Sequence, residues 1–219
     1  MIGIKQQEKL LLNISNELDR PITVYTIGGT AMMFLGFKDA TLDIDLVFDN
    51  DEDRDYFKKA AEKLGYKKMD AVKVYGAKRN TPEMLKLNDE RFDLFVNEVI
   101  DFIFSDKMRE RAEQTHQFSD NLVLKIANPH DIILMKCATE RIKDMDDART
   151  IIENTTINWR VIIDEAKNQI NLGKERAAFD LGSFLEDLKG KIKEKIPKSF
   201  LDELWEIVEK QAEEKQKTD

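Results

Sequence analysis

Residues 22–27, Ile-Thr-Val-Tyr-Thr-Ile, are β-branched or aromatic throughout and run directly into Gly28 and Gly29. Such a run favours a buried strand, and the two glycines end it, because a residue without a Cβ turns where other side chains would clash. Residues 30–35 then read as a short helix closed by Gly36. After a loop over 37–41, residues 42–48 alternate apolar Leu42, Ile44, Leu46 and Phe48 with Asp43, Asp45 and Val47, the period of a strand. Strand, glycine turn, helix and second strand in quick succession predict an α/β (α+β) fold.

The flanking segments extend this pattern. Ile4, Leu10, Leu11, Ile14 and Leu18 carry a helical spacing that Pro21 breaks. Residues 51–64 return to helical spacing and close at Gly65, while 71–75 and 90–96 read as further strands, with Asp93 on the second. From Pro129 onward the spacing is helical throughout, with helices expected over 129–140, 144–154, 158–171, 174–194 and 197–215. The sequence therefore divides into an α/β core, residues 1–128, and a C-terminal helical region, residues 129–219.

Composition narrows the classes open to such a chain. Among 219 residues, 42% are apolar, enough for a folded core. No stretch approaches the roughly 18 apolar residues of a membrane span, and residues 1–16 are too charged for a secretory signal, so a cytoplasmic protein with no membrane partner is expected. Cys137 is the single cysteine, which excludes an intrachain disulfide and a cysteine-rich zinc site; on a mostly apolar helix it reads as core. His116 and His130 have no spaced metal partners, and His130, beside Pro129 at a helix start, fits a capping role. Trp159 and Trp205 fall on amphipathic helices and read as packing residues. A net charge of −8 argues against a surface that grips nucleic acid as a whole, though a local basic patch stays open.

The chemistry concentrates on the acids. Asp43 and Asp45, one residue apart on a strand, project from the same face and converge. Between apolar neighbours such a pair is costly unless solvent or a divalent cation balances it, and hard oxygen ligands of this kind suit magnesium. Gly28 and Gly29, where a strand becomes a helix, allow close backbone approach and leave N–H groups free for a phosphate, and Thr30 adds a hydroxyl. Arg91-Phe92-Asp93-Leu94-Phe95-Val96 places a third carboxylate on another apolar strand.

Taken together, Ile27-Gly28-Gly29-Thr30, a helix-length spacer, Thr41-Leu42-Asp43-Ile44-Asp45-Leu46 and a later strand bearing Asp93 resemble the DNA polymerase beta-like nucleotidyltransferase superfamily. The resemblance implies a nucleotidyltransferase fold, a small mixed β-sheet with flanking helices, in which Asp43 and Asp45 hold two magnesium ions. It further implies that Asp93 completes the metal site and helps deprotonate the acceptor hydroxyl, and that Gly28 and Gly29 cradle a nucleoside triphosphate. Lys38 and Thr41 fit the pattern without an assigned role. A second stretch, Asp131-Ile132-Ile133-Leu134-Met135-Lys136 followed by Arg141, Lys143, Asp144 and Asp147, is similar to the helical motif of nucleotidyltransferases of abortive-infection toxin–antitoxin systems and their relatives. On one continuous helix Lys136, Glu140, Lys143 and Asp147 would share a face. The resemblance implies that Lys136 offsets triphosphate charge and that Asp144 or Asp147 orients it or binds base or ribose; a solvated ion-pair face is the alternative.

The activity implied is transfer of a nucleoside monophosphate from a triphosphate to a hydroxyl acceptor, in RNA such as a tRNA end, a protein side chain or a small molecule such as an antibiotic. The alternative is a non-catalytic binding protein of the same fold, or a toxin–antitoxin component that meets a partner protein.

Overall fold

The computed structural model describes residues 1–139, 141–192 and 195–216. The chain divides into two units, Met1–Asn128 and Pro129–Asp219. The first runs β1 (Ile2–Gly3), α1 (Ile4–Asn16), β2 (Ile22–Thr26), α2 (Gly28–Phe34), β3 (Ala40–Thr41), β4 (Ile44–Phe48), α3 (Asp51–Lys63) and β5 (Lys67–Met69). It continues through α4 (Val72–Tyr75), β6 (Glu83–Leu87), β7 (Glu90–Val96), β8 (Glu98–Val99), β9 (Phe102–Ile103), α5 (Asp106–Arg111), β10 (Thr115–Phe118) and β11 (Leu122–Ile126).

Its main sheet is mixed, in the order β10-β11-β2-β4-β7-β6-β5, with β8 joined to β7 and β9. The pairs β11–β2 and β4–β7 are parallel; the pairs β10–β11, β2–β4, β7–β6 and β6–β5 are antiparallel. Alternation sorts β4 and β7 into two faces. Ile44, Leu46 and Phe48 of β4 join Phe92 and Leu94 of β7 in a core with Leu10, Leu11 and Ile14 of α1 and Phe57, Ala60 and Ala61 of α3. Phe57 sets its ring edge-on to both Phe48 and Phe92 at 5.5 Å, a geometry worth about 0.5–1.5 kcal/mol per pair beyond area burial. Asn50 fixes the start of α3, its side chain accepting from the Asp53 N–H at 2.8 Å, and Asp51, Glu52 and Asp53 complement the helix dipole. The odd-numbered side chains, Asp45 on β4 and Arg91 and Asp93 on β7, point away from this core.

One expected strand is a helix. Residues 71–75 are rich in β-branched side chains, yet Val72–Tyr75 forms α4. Val72 and Val74 are 65% and 38% exposed, so no packed sheet surface rewards their strand preference. The Asp70 carboxylate instead accepts from the Val72 N–H at 3.0 Å and starts a turn.

The second unit is helical: α6 (Pro129–Lys136), α7 (Ile142–Asn154), α8 (Trp159–Asn171), α9 (Ala177–Lys189) and α10 (Lys198–Gln216). The separate helices expected over 129–140 and 144–154 are present as α6 and α7, with α6 stopping earlier, at Lys136, and Arg141 extended before α7, so the motif does not lie on one continuous helix. Glu140, and the 193–194 end of the expected helix over 174–194, lie outside the described residues. His130 accepts from the Asn158 N–H at 2.8 Å, and the Asn158 side chain in turn accepts from the Arg160 N–H and caps α8. Trp159 packs on Phe200, Trp205 on Phe179, and Cys137 is buried. Among the described residues no helix is long and apolar enough to cross a membrane.

Candidate functional site

Strand register brings the acids together. In the parallel pair β4–β7, Asp45 lies directly beside Asp93. Asp43 sits one residue ahead of β4 rather than within it, next to Leu42, which is 56% exposed. The carboxylates of Asp43, Asp45 and Asp93 nevertheless offer oxygens that all lie within 4.8 Å of one another. Asp43 and Asp93 are buried and Asp45 is half-buried. Three hard oxygen donors on rigid backbone at this separation suit a divalent cation such as magnesium.

The segment that carries Asp43 is pinned by hydroxyls. Thr30 is fully buried; its Oγ1 accepts from the Asp45 N–H at 3.0 Å and donates to the Asp43 carbonyl at 3.2 Å. Its single proton is thereby committed to the acid segment, which gives Thr30 a positioning role. Thr41 donates to Asp43 Oδ1 at 3.3 Å.

The glycine turn abuts this cluster. Gly28 adopts φ +57°, and a Cβ there would stand 2.7 Å from Asp45 Oδ2. A Cβ on Gly29 would stand 2.6 Å from Thr41 Oγ1. A Cβ at either position would therefore displace these side chains, and at Gly28 the backbone conformation also favours glycine. The backbone that would meet a phosphate thus lies directly against the carboxylates that would hold a metal.

Two residues without a place in the sequence reading complete the site. Arg91 lies two positions before Asp93 on the same face of β7. It donates from Nε to Asp93 Oδ1 at 2.8 Å and from Nη2 to Asp93 Oδ2 at 3.1 Å, and Nη2 also pairs with Asp43 Oδ2. Tyr75, at the end of α4, donates its hydroxyl to Asp93 Oδ2 at 2.7 Å. Burial pushes the Asp93 carboxyl up to about 6, with Arg91 pulling down and Asp43 pushing up. Burial alone would lower the pKa of Arg91, but Asp93 and Asp43 outweigh it and raise that pKa above its ordinary value. Burial, with Asp45 and Asp93 nearby, holds the Tyr75 phenol well above its usual range. The spacing Arg-x-Asp on a strand already places both side chains on one face, and that was the available signal for Arg91.

Lys136, Asp144 and Asp147 form a second cluster, within the helical unit. Lys136 is 8% exposed, and its Nζ donates to Asp144 Oδ1 at 2.8 Å and to Asp147 Oδ2 at 2.5 Å. Arg141 Nε donates to Asp144 Oδ2 at 2.7 Å, and the Thr139 hydroxyl bonds the same oxygen. Burial works against the charge on Lys136, but the two aspartates prevail and raise its pKa; burial likewise opposes ionisation of Asp144, and Lys136 and Arg141 prevail and lower it. The cluster ties the end of α6 to the first turns of α7 across the break between them.

No protein-family profile matches the chain, and no curated protein matches it significantly. Among solved structures it is similar to the crystal structure of ANT(2")-Ia in complex with adenylyl-2"-tobramycin, with a TM-score of 0.45 and 17% identity over 83% of this chain and 98% of that one. At that distance, what the chain does has to be argued from its own residues.

Proposed function

We propose that the chain is a magnesium-dependent nucleotidyltransferase that moves a nucleoside monophosphate from a triphosphate to a hydroxyl acceptor. The observation that carries this reading is the convergence of Asp43, Asp45 and Asp93 within 4.8 Å, against a glycine turn where an added Cβ would press on Asp45 and Thr41. Asp43, Asp45 and Asp93 would hold two magnesium ions, which when bound supply charge neutralisation at the phosphates and make a hydroxyl easier to ionise. Gly28 and Gly29 present backbone at the position where the triphosphate would lie, with Thr30 and Thr41 fixing the acids around it. In the reaction the acceptor oxygen forms a bond to the α-phosphorus, the bond to the bridging α,β-oxygen breaks, and pyrophosphate leaves. The hydroxyl proton passes to the Asp93 carboxylate. A nucleotide role for Lys136, Asp144 and Asp147 is part of the proposal, and its test is whether Lys136→Ala weakens triphosphate binding more than monophosphate binding.

The acceptor, whether a tRNA end, a protein or a small molecule, and a place in a toxin–antitoxin pair belong to this same reading. A second reading has its own support: Arg91 satisfies Asp43 and Asp93 without any metal, as a non-catalytic nucleotide- or partner-binding protein of this fold would require. Incubation with cell extract and triphosphates labelled at either the α- or the γ-phosphate separates the two. Magnesium-dependent incorporation of α-label but not γ-label, abolished in Asp45→Ala, supports transfer; no incorporation of either supports the binding protein.

A further inference from the structure

Arg91 occupies the oxygens that a metal would take. Its guanidinium reaches Asp43 Oδ2 and both oxygens of Asp93, pairing with both carboxylates. Three carboxylates within 4.8 Å repel one another strongly when half or fully buried, and one guanidinium offsets only part of that charge. Charge-assisted, forked bonds of this kind are among the stronger polar contacts a side chain makes. They hold Asp43, on the segment before β4, and Asp93, on β7, in the arrangement a metal needs, and they also block it. Arg91 takes one site on each Asp93 oxygen and Tyr75 a second on Oδ2, so three of the roughly four lone-pair sites of this carboxylate are already engaged.

We propose that Arg91 is a positioning residue that stands in for the metal in the free protein and couples metal entry to triphosphate entry. Resting on the transferase reading above, the inference concerns how that site is loaded. A metal reaching Asp43 and Asp93 displaces the guanidinium from them. The displaced cation then has no carboxylate partner, and a triphosphate arriving beside the glycine turn supplies the anion it lacks. Metal alone must compete with Arg91 and binds weakly; metal with triphosphate exchanges one ion pair for another. Each ligand therefore favours the other, and by linkage the effect is reciprocal.

The test is titration calorimetry at pH 8 on the full chain and on Arg91→Gln and Arg91→Lys. The probes are manganese alone and the manganese complexes of the four α,β-methylene nucleoside triphosphates, which cannot react. Arg91→Gln is expected to bind manganese alone on the order of tenfold more tightly than the parent, and the manganese–triphosphate complexes on the order of tenfold more weakly. Those opposite signs distinguish coupling from a structural role, since misfolding weakens both. Arg91→Lys keeps the charge without the fork and is expected to fall between the two. If manganese alone binds the parent and either folded variant equally, or binds the variants more weakly, Arg91 is no stand-in. If manganese binds the parent but no triphosphate complex does, the coupling is wrong. Failure of manganese to bind the parent and both variants, alone or with any triphosphate, overturns the transferase reading itself, and the inference with it.

Discussion

Gly28→Ala separates the fold from the site. The left-handed backbone at φ +57° costs an alanine about 1–2 kcal/mol. The new Cβ also stands 2.7 Å from Asp45 Oδ2, the mobile end of a half-buried side chain, so the carboxylate and not the backbone gives way. It must retreat by at least about 0.7 Å, from 2.7 Å to the 3.4 Å where ordinary contact begins. Magnesium holds its ligands in a near-ideal octahedron, so an error of that size in one carboxylate should lower metal affinity by at least about tenfold, or about 1.4 kcal/mol. Gly36→Ala is the control: its φ is +76° and nothing lies within 4 Å of the added Cβ. Urea unfolding should show both variants losing about 1–2 kcal/mol, while manganese titration should show weakened binding only in Gly28→Ala. Equal metal affinities in the two variants would mean that Asp45 is not a ligand or that the turn does not confine it.

Asp43→Ala and Asp45→Ala should each abolish magnesium-dependent nucleotide binding while keeping the parent circular dichroism; retained affinity in both, by calorimetry, would remove the metal assignment. Lys136→Ala leaves Asp144 and Asp147 buried with one cation fewer, and should cost about 3 kcal/mol in urea unfolding; a loss under about 1 kcal/mol would mean that Arg141 alone balances the pair. The raised pKa of Asp93 fixes two pH trends in the metal-free and metal-bound protein. Because its folded value, about 6, exceeds the ordinary 3.8, the contribution of this group to metal-free stability is present below pH 3.8 and is lost as pH rises through about 6. Metal affinity must run the other way, rising as pH passes through about 6, because the carboxylate sheds its proton to bind; a flat affinity between pH 5 and 8, by calorimetry, would exclude Asp93 as a ligand.

The elements most legible in the sequence are those whose local signal and tertiary setting agree. Residues 22–27 read as a strand because burial on both faces rewards their β-branched side chains, and β2 covers 22–26, ending one residue short, with Ile27 leading into α2 at Gly28. Residues 90–96 match β7 for the same reason. Residues 71–75 carried the same chemistry without the burial, and became α4. The β6 and β11 strands went unread although Leu122, Leu124 and Ile126 alternate: β11 pairs with β2, far away in sequence, Leu122 beside Ile22, whereas β6 joins β7 in a tight hairpin, Leu87 opposite Glu90, whose Asn88-Asp89 turn was a local signal left unused. The convergence of Asp43 and Asp45 follows from spacing, whereas the place of Asp93 beside Asp45 depends on the register between β4 and β7. Arg91 was hidden because an arginine among strand residues reads as a solvent contact until the carboxylates it faces are known. Lys136, Asp144 and Asp147 were picked out as a group, but their meeting depends on the break after α6, since a lysine and an aspartate eight residues apart could not pair so directly on a straight helix.

The most direct measurement of whether this chain is a metal-dependent nucleotide enzyme is calorimetric titration of the intact protein with each of the four ribonucleoside triphosphates, in magnesium and again in chelator. Saturable binding of at least one triphosphate in magnesium, lost in chelator and lost again in Asp45→Ala, is the expected result. Binding that is indifferent to magnesium, or no binding in either condition, would contradict it.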